Sequence, residues 1–361
     1  MRRVSPAAGH KDVQEAAGAF QAGRMPAECQ SSALDADNEP LPDKRPRPPV
    51  ATCTTGGAPP LANGCLRWLS RPGRLRDYFF LVEPMKVILA KHAGFCMGVR
   101  RAVETTLELV EKSRGPIATF GPLIHNPQVL TMLGQKGVEV LEEVPEQSQG
   151  TVVIRAHGVP PARKQSLEES GAVVEDATCP RVVKVQAIID KYRRQGYTTV
   201  IVGDRDHAEV EGLVGHAGEV GLVISSMEEL DGLELKPPYI VVSQTTQDEE
   251  MFQLITAGVL SRFPGGKVFN TICDSTHKRQ DEVREMCRQV DALVVVGGRN
   301  SANTKRLAEI ARGLACPVFL VETEAELQFE QMRRYQSVGV TAGASTPVWS
   351  IRQVVDALEA L

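Results

Sequence analysis

Three of the eight cysteines, Cys96, Cys179 and Cys273, follow an extended approach and precede a helical pattern: Phe95-Cys96-Met-Gly-Val, Thr178-Cys179-Pro-Arg-Val and Ile272-Cys273-Asp-Ser-Thr. A thiol at a helix start meets unpaired backbone N–H groups and the positive end of the helix dipole, which favour thiolate, the form that binds metal. Pro180 suits a first helical turn, and Asp274, Ser275 and Thr276 are capping types. Two polar stations then recur. A strand ending in glycine is followed four residues on by His125, His207 or Ser301, which lie 29, 28 and 28 residues after their cysteines. A third station brings His157, the pair Thr245-Thr246, and Ser345. Insertions in loops drift freely, so near-equal offsets mark three copies of one unit.

The elements that must carry these residues are short apolar strands alternating with amphipathic helices. Val87, Ile88 and Leu89 form the first strand; others are expected at 152–155, 199–203, 239–243, 268–272, 292–297, 318–321 and 338–341. Such alternation predicts an α/β fold of small, mainly parallel sheets. Ligands of open α/β sheets collect at the carboxyl ends of strands, beside helix N-termini. Three similar α/β domains facing one another around a pseudo-threefold axis would bring the cysteines together and surround them with the His, Ser and Thr set. The expected division is 85–178, 179–272 and 273–361.

Composition narrows the partners. A net charge of −4 offers no overall basic field for nucleic acid, and no apolar run reaches the roughly 18 residues of a membrane helix. The cysteines are scattered without a Cys-x-x-Cys pair, which fits a reducing cytoplasm. Cys287 and Cys316 read as small buried hydrophobes. Residues 1–84 lack periodicity and include Pro-Arg-Pro-Pro at 46–49; they read as a disordered extension, a transit segment, or an overextended start with Met85 as initiator. An organellar address follows only if they are a transit segment.

Three thiolates 83 and 94 residues apart could hold zinc or an iron–sulfur cluster. Structural zinc prefers four ligands, usually with local pairs. A [4Fe–4S] cluster on three cysteines leaves one open iron for substrate. Spacing alone leaves both open, and with them a zinc-dependent hydrolase and a non-catalytic iron–sulfur sensor.

The segments Gly94-Phe-Cys96-Met-Gly-Val, Ile154-Arg-Ala-His157-Gly-Val-Pro, Asp176-Ala-Thr-Cys179-Pro, His207-Ala-Glu209-Val-Glu-Gly, Ser243-Gln-Thr-Thr246, Asn270-Thr-Ile-Cys273-Asp, Gly298-Arg-Asn-Ser301-Ala-Asn303-Thr and Gly339-Val-Thr-Ala-Gly-Ala-Ser345 resemble, in order, those of the 4-hydroxy-3-methylbut-2-enyl diphosphate reductase (LytB/IspH) family. The resemblance runs from Met85 to near the C-terminus. It implies a trefoil of three α/β domains around a central [4Fe–4S] cluster held by Cys96, Cys179 and Cys273. The implied reaction is the last step of the non-mevalonate isoprenoid pathway, two-electron removal of the substrate's hydroxyl to give isopentenyl and dimethylallyl diphosphates. An electron donor such as ferredoxin or flavodoxin is implied as partner.

By the same resemblance His125, His157, His207, Thr245, Ser301, Asn303 and Ser345 surround the diphosphate, whose charge calls for imidazole, hydroxyl and amide donors. Loss of a hydroxyl as water needs a proton, and Glu209, two residues after His207, is the expected source, with Thr245 to relay the proton or orient the hydroxyl and His207 counted with them in the catalytic set; a carboxyl in a pocket beside an anion has its pKa raised. Glu211 is read as structural, and Lys305 and Arg306 as a solvated helix face. Ala302 stands where the family usually has serine, so one phosphate contact is expected to be lost or replaced.

Overall fold

Val- and Ile-rich runs of four to six residues dominate the chain's central strands, and each is too short to do more than cross a small sheet. The structure, a computed structural model, describes residues 84–361 apart from Arg114. The readings of the N-terminal extension, with Cys29, Cys53 and Cys65, therefore fall outside the described residues.

In chain order the elements are β1 (Lys86–Leu89), α1 (Met97–Lys112), β2 (Ile117–Phe120), α2 (Pro127–Gln135), β3 (Val138–Leu141), β4 (Thr151–Ile154), α3 (Pro161–Glu169), β5 (Val173–Asp176), α4 (Pro180–Arg193), β6 (Thr198–Val202), α5 (Ala208–Ala217) and β7 (Gly221–Ile224). There follow β8 (Tyr239–Ser243), α6 (Glu249–Arg262), β9 (Lys267–Val268), α7 (Asp274–Met286), β10 (Ala292–Val296), α8 (Ala302–Gly313), β11 (Val318–Val321), α9 (Phe329–Met332), β12 (Ser337–Ala342) and α10 (Val348–Glu359). They build three four-stranded sheets in the orders β3-β2-β4-β5, β7-β6-β8-β9 and β11-β10-β12-β1. Every pairing is parallel. The expected α/β class with three small parallel sheets is borne out.

Each sheet is covered on both faces, and the period-two alternation of its strands divides its side chains between two cores. In the third sheet Val294, Val296, Val338 and Val340 pack with Ile351 and Val354 of α10, while Leu293 and Val295 pack with Leu307 and Ala311 of α8. The second sheet repeats this: Val200, Val202 and Val241 meet Phe252 and Ile255 of α6, whereas Ile201, Ile240 and Val242 meet Val185 and Leu213 of α4 and α5.

One expected assignment needs correction. A boundary at residue 85 placed the first strand in the first unit, but β1 pairs with β12, Lys86 opposite Ser337 and Leu89 opposite Val340, as an edge of the third sheet. The two ends of the described chain thus share a sheet. A four-residue strand carries no local signal for its partner, so only the assembled fold decides it. The same edge position is filled by β5 in the first sheet and β9 in the second, so each of these three strands leads out of one sheet and into the cysteine of the next segment.

The strand expected at 268–272 shrinks to Lys267–Val268. Thr271 ends the ladder there: its hydroxyl accepts the Ser243 N–H at 2.8 Å and donates to the Ser243 carbonyl at 2.7 Å, replacing backbone partners with a side chain.

Candidate active site

Cys96, Cys179 and Cys273 occupy the N-cap positions of α1, α4 and α7. Each is tied by its own N–H to the sheet it leaves: Cys96 to the Ala344 carbonyl at 3.1 Å, Cys179 to Ala156 at 2.9 Å, Cys273 to Thr245 at 2.9 Å. Gly94, in the turn before Cys96, has φ +101°, a backbone region L side chains avoid. Gly98 is glycine for a different reason. A Cβ there would lie 2.3 Å from the Cys179 sulfur, so only a bare backbone lets the start of α1 reach the second thiol.

The helix starts do supply sulfur with donors. The Cys96 sulfur accepts from Val99 N at 3.5 Å, and backbone N–H groups of Arg181 and Val182 hold the Cys179 pKa down. For Cys179, however, burial outweighs them, and the neighbouring Cys96 and Cys273 thiols add to the rise, so its pKa ends above the ordinary value. Thiols crowded in this way ionise together only when a cation joins them. Part of that charge is already present. Arg279, 4% exposed, donates to the carbonyls of Gly94 (2.6 Å) and Ser275 (2.8 Å). Burial lowers its pKa, while the thiols of Cys96 and Cys273 beside it oppose that fall. Sequence reasoning missed Arg279, whose only signal is its place on the helix that Cys273 starts.

Above the cysteines the second stations also cap helices. His207 caps α5 and Ser301 caps α8, while His125 directly precedes Asn126, the cap of α2. Three more positive helix ends therefore point at the same space, which favours an anion. The rings of His125, His157 and His207 have centroids 4.5, 5.3 and 5.2 Å apart. Burial first, then the neighbouring imidazoles and Arg155, lowers the pKa of His157 well below its usual value. His207 falls to about 3 through burial, with His125, Arg155 and Lys305 adding to it, and His125 is lowered by burial, Arg155 and Lys305. All three are neutral donors or ligands at physiological pH. The Glu209 N–H donates to His207 Nδ1 at 3.1 Å, which leaves the proton of the neutral ring on Nε2.

Ser345 links the third sheet to the first, donating to the His125 carbonyl at 3.1 Å with the Ser301 hydroxyl 3.4 Å away. His157 Nδ1 and Asn303 Nδ2 are buried without a protein partner. Unpartnered polar atoms beside a cavity are costly unless a ligand or water satisfies them.

Glu209 is 2% exposed, and both its oxygens face Thr245: Oε1 accepts the Thr245 N–H at 2.6 Å and Oε2 the hydroxyl at 2.8 Å. These bonds alone would lower its pKa. Burial wins, helped by the charge of Asp204, and the pKa rises to about 7. The carboxyl is thus poised between acid and base at neutral pH.

One cavity of about 90 Å³ is lined by all eleven residues singled out in the sequence, drawn from all three sheets and their helices. Its donor set divides cleanly, with three thiols on one wall and imidazole, hydroxyl and amide groups around the rest. The thiol wall fits an iron–sulfur cluster by chemistry: soft sulfur ligands, a nearby guanidinium and three helix starts. Thr246, named at the third station but left out of the expected substrate set in favour of Thr245, also lines the cavity. The cysteine N–H bonds to Ala156, Thr245 and Ala344 align the repeats so that Thr246 corresponds to His157 and Ser345. A stricter repeat alignment was the signal that would have found it.

Glu211 forms an ion pair with Arg155 at 2.7 Å, outside the cavity. Arg306 corrects the expectation of a solvated face. Its side chain is 19% exposed and holds Asp204 at 3.1 Å and Glu309 at 3.0 Å, joining α8 to the loop after β6. Lys305 is exposed, as expected.

Comparisons with known proteins show which family the chain resembles. The family model described as LytB protein matches residues 87–359. Relatives named 4-hydroxy-3-methylbut-2-enyl diphosphate reductase include those of Geobacter sulfurreducens, 44% identical over 275 residues (76% of this chain, 97% of the relative), and Nitratidesulfovibrio vulgaris strain Miyazaki F, 43% identical over 281 residues (77% and 100%). The solved E-1-hydroxy-2-methyl-but-2-enyl-4-diphosphate reductase of Plasmodium falciparum superposes with a TM-score of 0.72 at 26% identity, covering 76% of this chain and 87% of that one. A second, (E)-4-hydroxy-3-methyl-but-2-enyl diphosphate reductase, described as the terminal enzyme of the non-mevalonate pathway, gives 0.58 at 38% identity, covering 77% and 100%. The likeness bears out the expected trefoil. Among the described residues no helix is long and apolar enough to cross a membrane.

Proposed function

Because the chain belongs to the LytB protein family, we propose that it is the reductase that converts 4-hydroxy-3-methylbut-2-enyl diphosphate to isopentenyl and dimethylallyl diphosphates. The balance is simple: the allylic C–O bond breaks, two electrons and two protons are consumed, and water leaves. A [4Fe–4S] cluster on Cys96, Cys179 and Cys273 would supply the electrons beside the hydroxyl. Everything else falls to the chain itself.

The diphosphate is held by neutral donors. His207 offers its Nε2–H, His157 and Asn303 bring unpartnered polar groups, and Ser301 and Ser345 present hydroxyls at the start of α8. Three helix ends add their partial charges. Neutral imidazoles suit this task, since charged ones at about 5 Å would repel one another. At Ala302 the lost hydroxyl leaves backbone N–H groups of the first turn of α8 as the available donors.

Glu209 stores the proton. Burial lifts its pKa to about 7, so the carboxyl can hold a proton at neutral pH, and the anionic diphosphate raises it further. The Thr245 hydroxyl donates to Glu209 Oε2 on one side and lines the cavity on the other, and it can turn to accept once the carboxyl is protonated, which makes it the relay. The single observation that carries the reading is the meeting of the thiol wall, the anion donors and this carboxyl in one cavity.

One observation favours a second reading: the ligating atoms of His125, His157 and His207 lie within 4.8 Å of one another, a geometry that also suits zinc in a hydrolase. Anaerobic purification followed by metal analysis, absorption and EPR spectroscopy separates the two. Iron with a cluster spectrum is expected; a colourless zinc protein refutes the reductase. Adding substrate with a chemical reductant then separates an enzyme from a non-catalytic iron–sulfur sensor.

A further inference from the structure

Gln244 is fully buried directly after β8, with Thr245 and Thr246 following it. Its amide joins two loops of the cavity wall. Oε1 accepts the Asp204 N–H at 2.9 Å, and Nε2 donates to the Thr246 hydroxyl at 3.0 Å. Gly203 makes room for this side chain: a Cβ there would lie 2.9 Å from both Cβ and Oε1 of Gln244. The Asp204 carbonyl in turn accepts the His207 N–H at 3.0 Å, so one amide both braces the approach to His207 and touches Thr246.

The direction of these bonds is forced. A backbone N–H can only donate, so the amide oxygen must face Asp204 and the NH₂ group must face Thr246. The Thr246 hydroxyl therefore accepts on its inner side, and its own hydrogen has to point elsewhere. Among the described residues that hydroxyl makes no second hydrogen bond, and the side chain lines the anion cavity. Thr245 is arranged the opposite way, its hydrogen engaged by Glu209 Oε2. Two other cavity groups are set from behind as Thr246 is. The Glu209 N–H fixes His207 as a donor through Nε2, and the Thr304 N–H reaches the Ser301 oxygen at 3.4 Å.

Resting on the reductase reading, we propose that Thr246 is a further diphosphate contact, its hydroxyl held as a hydrogen-bond donor by Gln244, which is its positioning residue. Phosphoryl oxygens only accept, so a hydroxyl free to present either its hydrogen or its lone pairs would lose affinity on being ordered. The buried amide makes that choice before the ligand arrives. Thr246 also stands at the station that His157 and Ser345 fill in the other two repeats. With it, each repeat brings a polar side chain to the cavity at that station.

The test is anaerobic calorimetric titration of the oxidised holoprotein, without reductant, using inorganic pyrophosphate and then the substrate. Thr246→Val should weaken both roughly ten- to a hundredfold, whereas Thr246→Ser should stay within about threefold of wild type. Gln244→Glu keeps an acceptor for the Asp204 N–H but demands the Thr246 hydrogen, turning it from the cavity. It should also weaken binding, and adding Thr246→Val to it should weaken binding by no more than about a further threefold. Should the buried carboxylate prevent folding, Gln244→Met, which has no amide to donate, takes its place in the same cycle. Wild-type affinity in Thr246→Val would overturn the contact, and single effects that multiply in the double variant would overturn positioning by Gln244. A wild-type holoprotein that binds neither ligand would instead overturn the reductase reading beneath the proposal.

Discussion

Replacing Glu209 by Gln tests the proton source with little change of shape. The wild-type carboxyl accepts the Thr245 N–H on Oε1 and the hydroxyl on Oε2. Gln preserves the first bond through its carbonyl and reverses the second, its amide donating to a Thr245 hydroxyl turned to accept. The variant is thus fixed in the bonding of the protonated acid but has no proton to give. Removing a positioned general acid costs about 10²- to 10⁴-fold in rate, or about 3–5 kcal/mol of barrier. The wild-type rate should be level below pH 7 and decline above it as Glu209 ionises, since its pKa stands at about 7. The variant should be slow at every pH and lack that decline.

Stability supplies an independent measure. A carboxyl raised from 4.5 to about 7 on folding makes the native state hold the proton more tightly than the unfolded chain. Its contribution is therefore complete below pH 4.5 and lost as pH rises through 7, about 3 kcal/mol in all. Denaturation at pH 8 should find the Gln variant more stable than wild type by up to that amount, with the gap closing toward pH 5. Near-normal turnover in the variant, or an alkaline decline that survives the substitution, would refute Glu209 as the acid.

Gly98→Ala places a Cβ 2.3 Å from the Cys179 sulfur, so the purified protein should lose most of its iron while a folded circular dichroism spectrum remains; full iron content would refute the close-approach argument. Arg279→Gln removes the cation beside Cys96 and Cys273, and should speed loss of the cluster's visible absorption under chelator challenge; an unchanged rate would show the guanidinium to be structural only. The three histidines are neutral by burial, so substrate affinity measured by calorimetry in the Glu209→Gln variant should stay level between pH 7 and 9. A tenfold weakening per pH unit there would mean that a charged imidazole does the binding.

Much of the site was legible because its residues sit at ends of elements, and ends are written locally. Cys179-Pro180 announces a helix start whatever surrounds it. Apolar runs such as Ala292–Val296 announce a strand buried on both faces. Equal offsets then align three such units, and resemblance attached roles to them. Thr246 was within reach of the same logic. Arg279 and Arg306 were not, because a basic residue inside a helical pattern reads as solvated until its neighbours are known.

What the sequence determined by itself is the local grammar: which residues cap, which strands alternate, and which thiols and imidazoles recur at matching stations. Only the tertiary structure decided the rest. It put β1 beside β12, brought three histidine rings to about 5 Å, and set the Gln244 amide between Asp204 and Thr246. It also reversed the balance at Glu209, whose two hydrogen bonds to Thr245 favour the charged form while burial favours the neutral one more. Caps and periodicities depend on neighbours within a few positions and survive in the linear chain. Convergence, desolvation and the sharing of a sheet between chain ends depend on groups tens to hundreds of residues apart, and exist only once the chain has closed on itself.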